Sequence, residues 1–509
     1  MIGEARTRLR WLCDTEGVTD TRQPEPRRGA GPTPLTAAEI AAVTGGRLVR
    51  SSDAPITCAA VDSRFVRPGC LFVALPGERT DGHRFLAAAV EAGAAALLVR
   101  HVPDGLAGII QAGAEKAAPA VIVAPDTLLG LHAVAAAWRD RFSPLIVGVT
   151  GSIAKTSTKE AIAAVLGCHF TTLKSEGNQN NEVGLPLTLL RLGPQHEAAV
   201  LEMGMYVGGE IAQLAAIARP SIGVVTAVRE VHLSRIGSIE AVARAKAELV
   251  QALPADGAAV LNADDGRVIA MRNFSPASSL SYGFDQSADV RAEAVVSAGM
   301  DGMRFTLITP AGRMDVATPA LGRHGVHNGL AAAAVGLAAG MAIDEIAAGL
   351  ALGWQADHRD QIVRAGKLTI LDDSYNASPA SMLAALELLA SLPGRHVAVL
   401  GEMRELGDAH ERGHREVGAA AARLVDRLVV VGDGASEIAA GAAPLGAEVI
   451  HVPDIDRALL ELLDNLRDGD VVLVKASRGV ALEKIVQSLV ESFGGVKTGT
   501  SSGDPSPDR

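Results

Sequence analysis

LIVGVTGSIAKTSTKE, Leu145 to Glu160, is the stretch whose reading decides the fold. Its apolar start, Leu145 to Val149, reads as a buried parallel strand, and a Gly-bearing turn then delivers Lys155, Thr156, Ser157 and Thr158 to the start of a helix. In such a turn the backbone N–H groups and the helix N-terminus point at an anion, the lysine supplies charge, and the first threonine hydroxyl can hold a magnesium ion. Gly151, Ser152, Lys155, Thr156 and Ser157 are therefore the expected phosphate-binding residues, with Thr156 also a metal ligand. The strict G-x-x-x-x-G-K-[ST] spacing is not kept. Gly148 comes one residue early, and Ala154 stands where a glycine usually precedes the lysine. On this stretch alone, a strand-to-helix turn with a surface lysine is the alternative.

Outward from this turn, strands and helices alternate: Glu197 to Gly204, a helix near Glu210 to Ala218, Ile222 to Val228, a helix near Ile239 to Gln251, and Gly257 to Asp265. That order predicts a doubly wound parallel sheet with ligands at the carboxyl ends of its strands. Glu202 ends one such strand and can complete a Mg²⁺ shell begun by Thr156. His232 follows another strand end, Lys246 lies in the next helix, and Asn262 and Asp264 end a further strand. Residues 289–318 alternate apolar and polar with Gly turns, which predicts hairpins at the sheet margin. Gly322 to Met341 reads as a helix opened by a polar loop, with His327 and Asn328 at its mouth.

From near Gly353 a strand-helix alternation repeats four times, a second open parallel sheet without a G-x-G-x-x-G opening, so a nicotinamide cofactor is not supported. Before the phosphate turn, a capped helix from Leu35 begins a small α/β domain whose densest text is VDSRFVRPGCLFVALPGERTDGHRF, Val61 to Phe85. There Ser63 and Arg64 either bind a phosphate or a uracil edge, or belong to a solvated loop. Residues 1–34 and 494–509, rich in Pro, Gly and polar side chains, read as a disordered extension and a flexible tail.

A chain of 509 residues suits about three domains. With 3% aromatic residues and a net charge of −11, it offers few stacking platforms and little attraction for a polyanion, so nucleic acid is not expected as a partner. Cys13, Cys58, Cys70 and Cys168 show no metal-ligand spacing and read as reduced thiols of a cytoplasmic protein. No apolar run reaches the roughly 18 residues of a membrane span, and no secretory signal is seen.

Over about residues 35 to 490 the sequence resembles the Mur ligase family of peptidoglycan synthesis. The resemblance is carried by DSRFVRPGCLFVALPGERTDGHRF, GVTGSIAKTSTKE, GNQNNEVGLPLTLL, LEMG with GGEIAQLAAIARP, AVREVHLSRIGSIEAVARAKAEL, VLNADD, DDSYNASPASM and VAVLGEMRELGDAHERGH. It implies an α/β chain of three domains. These are a small N-terminal α/β domain for the UDP end of the acceptor (35–125), a central doubly wound P-loop ATPase domain (126–352) and a C-terminal Rossmann-like domain that brings the amine (353–493).

The implied activity is ATP-dependent amide ligation through an acyl phosphate, in a cytoplasmic monomer. DDSYNASP with LGEMRELG points to UDP-N-acetylmuramoyl-tripeptide as acceptor and D-alanyl-D-alanine as amine. The family further implies two Mg²⁺ ions, on Thr156 and Glu202 and on His232 and a carbamylated Lys246, with Lys155, Lys246 and His232 serving catalysis. Adenine would meet Asn262, His327 and Asn328; phosphate and ribose would meet Arg359 and Asp373; the uridine side would meet Ser63 and Arg64. Asn180 and Asn181, with Tyr375, Asn376, Ser477 and Arg478, would contact the other substrate groups. Ile153 and Ala154 replace the family's usual Asn-Gly, and Ala476 replaces a Gly. A Mur-type ligase adding a different amino acid, or a nucleotide-binding homologue without ligase activity, stays open as an alternative.

Overall fold

The computed structural model describes residues 34–77, 80–102, 105, 107–108, 118–229, 236–446 and 448–494, so His232 and nearly all of the expected N-terminal extension and tail lie outside the described residues. The chain forms two compact units.

The first comprises residues 1–144, 189–197 and 336–342. Its helix Ala37–Val43 starts where Thr36 and Glu39 cap each other reciprocally: the Glu39 amide donates to Thr36 Oγ1 (3.2 Å) and the Thr36 amide to Glu39 Oε2 (2.7 Å). A sheet follows, in spatial order Arg47–Arg50, Ala120–Val123, Ala96–Val99, Cys70–Val73 and Cys58–Ala60, antiparallel at the first pair and parallel elsewhere. Phe72, Leu97 and Val121 fill its core. The reduced-thiol expectation fails here for one pair. Cys58 and Cys70 are register partners on adjacent parallel strands, and their sulfurs form a disulfide across a Cα–Cα distance of 4.4 Å. Twelve residues of separation gave no hint of this, because the pairing is made by strand register. Cys168 is free and exposed.

The second unit holds residues 145–188, 198–335 and 343–509 and contains two sheets. Nine strands form the larger: Gly312–Thr318, Met303–Thr309, Val290–Ser297, Ser278–Gly283, Ala258–Asn262, Ile222–Val225, Leu145–Thr150, Ala198–Glu202 and Thr172–Lys174. The strands from Val290–Ser297 to Thr172–Lys174 are paired in parallel, and the last two sequence-wise, Met303–Thr309 and Gly312–Thr318, are antiparallel, as the alternating pattern predicted.

The smaller sheet runs Gln361–Ala365, Leu368–Asp372, Val471–Lys475, His396–Gly401, Arg427–Val431 and Val449–Val452. It is parallel except for Gln361–Ala365, an edge strand the repeat pattern did not show. Two apolar layers cover its faces, one around Leu371, Leu386 and Leu400, the other around Ile370, Val399 and Ile485. Their strands read as unbroken apolar runs because both faces are buried.

Candidate active site

The phosphate turn is held from the neighbouring strand end. Thr226 Oγ1 donates to the Ile153 carbonyl (2.6 Å), and a Cβ on Gly151 would sit 1.8 Å from that same oxygen, so only glycine fits. Lys155 begins the helix Lys155–Leu166 and its Nζ donates to the Gly151 carbonyl (2.9 Å). Burial lowers the pKa of its ammonium, Glu202 acts in the opposite sense, and Arg359 adds to the lowering. A phosphate in the turn would add to the Glu202 charge in favouring the ammonium form. Ala154 takes the left-handed conformation, φ 64 and ψ 2, where glycine is at ease and alanine is not.

Strand register places the carboxylate. Val149 pairs with Glu202, so the last residue of Ala198–Glu202 stands beside the turn, where Thr156 Oγ1 donates to Glu202 Oε2 (2.9 Å) and Asn180 Nδ2 to Oε1 (2.8 Å). The Glu202 amide donates to Ser175 Oγ (3.2 Å), and the buried Lys159 fixes the Ser175 carbonyl (2.6 Å). An oxygen set of one hydroxyl and one carboxylate fits Mg²⁺, which binds few protein oxygens and keeps several waters. Among the described residues no cluster of three or more His, Cys, Asp or Glu offers a fuller cage.

Lys246 is not a surface lysine of its helix Ile239–Gln251; it is 2% exposed. Burial, followed by the charge of Lys155, holds its amine well below the usual lysine range.

A cavity of about 670 Å³ gathers most of the expected residues on one wall or another. Lys155, Thr156, Asn180, Asn181 and Glu202 face it from the nine-stranded sheet, and Arg359, Asp373, Tyr375, Asn376, Ser477 and Arg478 from the six-stranded one. The Arg359 and Arg478 guanidinium carbons lie 4.3 and 4.8 Å from the Tyr375 ring centroid. Lys475, which the sequence reading passed over, donates to Asp373 Oδ2 (2.5 Å) and to the Asn376 carbonyl (3.0 Å). Burial and the Asp360 charge push the Asp373 carboxyl up against the pull of Lys475. His324 and Asp360, 3.0 Å apart, were likewise missed. Lys475 did carry a signal, since it ends an apolar strand as Glu202 does; His324 and Asp360 carried none.

Asn262 and His327 do not line this cavity. They meet each other, His327 Nε2 lying 3.2 Å from Asn262 Oδ1 and 3.3 Å from Asp264 Oδ2, beside the rings of Tyr282 and Phe284. Burial raises the Asp264 carboxyl, yet the His327 contact and the Phe284 and Asp285 amides outweigh it and hold the group below its usual range. The expected polar opening is itself helical in Gly322–Ala338, which puts His327 and Asn328 in the second turn and not at the mouth, and Asn328 Oδ1 accepts from Thr158 (3.1 Å). Ser63 and Arg64 belong to the first unit, where Asp62 accepts from the exposed Arg64 guanidinium (2.5 Å) and is held below its usual carboxylate range mainly by that bond.

Three family descriptions match the chain: Mur ligase family, catalytic domain, over residues 55–137; Mur ligase middle domain over 149–336; and Mur ligase, glutamate ligase domain over 358–478. A UDP-N-acetylmuramoyl-tripeptide--D-alanyl-D-alanine ligase of Mycobacterium tuberculosis (strain H37Rv) is 40% identical over 500 residues, covering 90% of this chain and 98% of that protein. The crystal structure of MurF from Acinetobacter baumannii superposes with a TM-score of 0.82 at 30% identity, covering 90% of this chain and 99% of that one. MurF ligase from Thermotoga maritima, solved in complex with ADP, gives a TM-score of 0.75 at 27% identity, covering 87% and 99%.

Proposed function

The chain belongs to the Mur ligase family, and from that premise we propose that it joins D-alanyl-D-alanine to UDP-N-acetylmuramoyl-tripeptide at the expense of ATP, a step of peptidoglycan precursor synthesis. The observation that carries this reading is the cavity in which Lys155, Thr156 and Glu202 face Arg359, Asp373 and Tyr375. ATP phosphorylates the tripeptide carboxylate, the dipeptide amine attacks the acyl phosphate, and inorganic phosphate leaves. Such transfer needs positioning and charge neutralisation more than covalent help from the protein. Lys155 and Arg359 supply cations on the phosphoryl oxygens, and the turn amides between Gly151 and Thr156 supply dipoles.

Thr156 and Glu202 would hold Mg²⁺, which when bound neutralises charge on the transferring group. Lys246, buried and with its ammonium pKa lowered, would be carbamylated by carbon dioxide, and the carbamate with His232 would hold a second ion. Asn180 and Asn181 are assigned to the muramoyl-peptide side, Ser63 and Arg64 to the uridine side, Asn262, His327 and Asn328 to adenine, and Tyr375, Asn376, Ser477 and Arg478 to the amine substrate. Residues 35–125, 126–352 and 353–493 are proposed as the three domains, acting as a monomer in the cytoplasm, where UDP-linked precursors and ATP meet.

The test is phosphate release with UDP-N-acetylmuramoyl-tripeptide and ATP, adding D-alanyl-D-alanine, D-alanine or neither. Release that depends on the dipeptide is expected. Faster release with D-alanine would leave the family and remove the substrate assignment.

A further inference from the structure

The loop after His396–Gly401 is held more firmly than a connection needs. Three backbone bonds fix it: the Met403 amide donates to Nε2 of buried His414 (2.9 Å), the Arg404 amide to Ser477 Oγ (2.8 Å), and the Ser477 amide to the Glu402 carbonyl (3.0 Å). Glu405 sits at φ 65, a left-handed conformation that L side chains rarely adopt. Such strain persists where the surroundings over-determine it, and it gathers at binding sites.

These contacts hold the Arg404 backbone, from which a half-exposed guanidinium extends along the cavity wall. Glu402 accepts from its inner nitrogen, Nε (2.9 Å), and the outer fork lies on the backbone of Gly479 so closely that a Cβ there would meet Nη1 at 2.1 Å. Arg404 and Gly479 both line the cavity, next to Ser477 and Arg478. The other cations on this wall have contacts of their own: Lys475 is bound to Asp373, and the Arg359 and Arg478 guanidinium groups lie over the Tyr375 ring.

We infer that Arg404 anchors the terminal carboxylate of the incoming dipeptide and thereby measures its length. The inference rests on the ligase reading above. The dipeptide carries one carboxylate, at the end remote from its attacking amine, and a guanidinium matches that planar anion with two parallel N–H···O bonds. A single amino acid carries its carboxylate one residue nearer the amine, about 3.3–3.6 Å. An anchor on a backbone fixed by three amide hydrogen bonds would therefore set the dipeptide amine one residue further from Arg404 than the amine of an amino acid, and that difference in reach separates the two. Gly479 is part of the device, since a side chain there would push the fork aside.

The experiment compares kcat/KM for D-alanyl-D-alanine with that for the same dipeptide bearing a C-terminal amide, in the wild-type protein and in variants. Wild type should favour the carboxylate by about 10- to 100-fold, the usual worth of a charged hydrogen-bonded contact. In Arg404→Ala the ratio should fall to near one while KM for ATP stays within about twofold. Arg404→Lys, which keeps charge but loses the fork, should fall between. Gly479→Ala should lower the ratio with every charge intact. An unchanged ratio in Arg404→Ala, or a ratio abolished by Arg478→Ala but not by Arg404→Ala, overturns this inference alone. A wild-type preference for D-alanine over the dipeptide overturns the ligase reading and this inference with it.

Discussion

Two alanines stand where glycine is usual, and the structure gives replacing them opposite signs. Ala154 is at φ 64, where an L residue costs about 1–2 kcal/mol relative to the right-handed region. Ala154→Gly removes that cost and adds about 0.5–1 kcal/mol of chain entropy to be lost on folding, so it should stabilise by about 0.5–1 kcal/mol. Ala476 is not among the residues with positive φ, and it is fully buried against Gly401, where a Cβ would meet the Ala476 methyl at 2.8 Å. Ala476→Gly therefore gains nothing from backbone relief, loses about 0.8 kcal/mol of methyl burial and adds the glycine entropy, a destabilisation of about 1.5 kcal/mol. Thermal unfolding of both variants beside the parent, at one scan rate, should show Tm moving up by about 1–2 °C for Ala154→Gly and down by a few degrees for Ala476→Gly. ATP-dependent turnover in Ala154→Gly should match or exceed the parent, because the turn amides keep their places. Shifts of the same sign would refute the reasoning, as would a large rise in KM for ATP in Ala154→Gly.

Lys246→Met should stabilise the protein in carbon-dioxide-free buffer, because it removes a buried amine whose folded pKa is depressed. Between that lowered value and the ordinary lysine value the unfolded chain binds more protons, so wild-type stability rises with pH and the Met variant's advantage should shrink from pH 7 to pH 10. A pH-independent difference in denaturation midpoint would count against a desolvated amine. Gly151→Ala should cost about 1–3 kcal/mol of stability and raise KM for ATP, since its Cβ would strike Thr226 Oγ1. Adding Thr226→Ala should lose less than the sum of the single changes, and strict additivity in unfolding and KM measurements would show that the two residues do not meet.

By itself the sequence determined the alternation of apolar strands with capped helices, and thus the parallel sheets with Lys155 and Thr156 at a strand-to-helix turn and Glu202 at a neighbouring strand end. These are local matters of period, caps and turns, which neighbouring residues set between them. Tertiary structure decided the rest. Whether Ala154 and Ala476 are strained depends on φ, which the letters do not contain. That Lys246 is buried could not be read from its helix alone, because burial depends on what packs over a helix face. Cys58 and Cys70 became partners through strand register, and His324, Asp360 and Lys475 joined Asp373 around one cavity from segments up to 151 residues apart (324 to 475). Such meetings are set by the pairing and packing of distant elements, on which sequence spacing places no constraint.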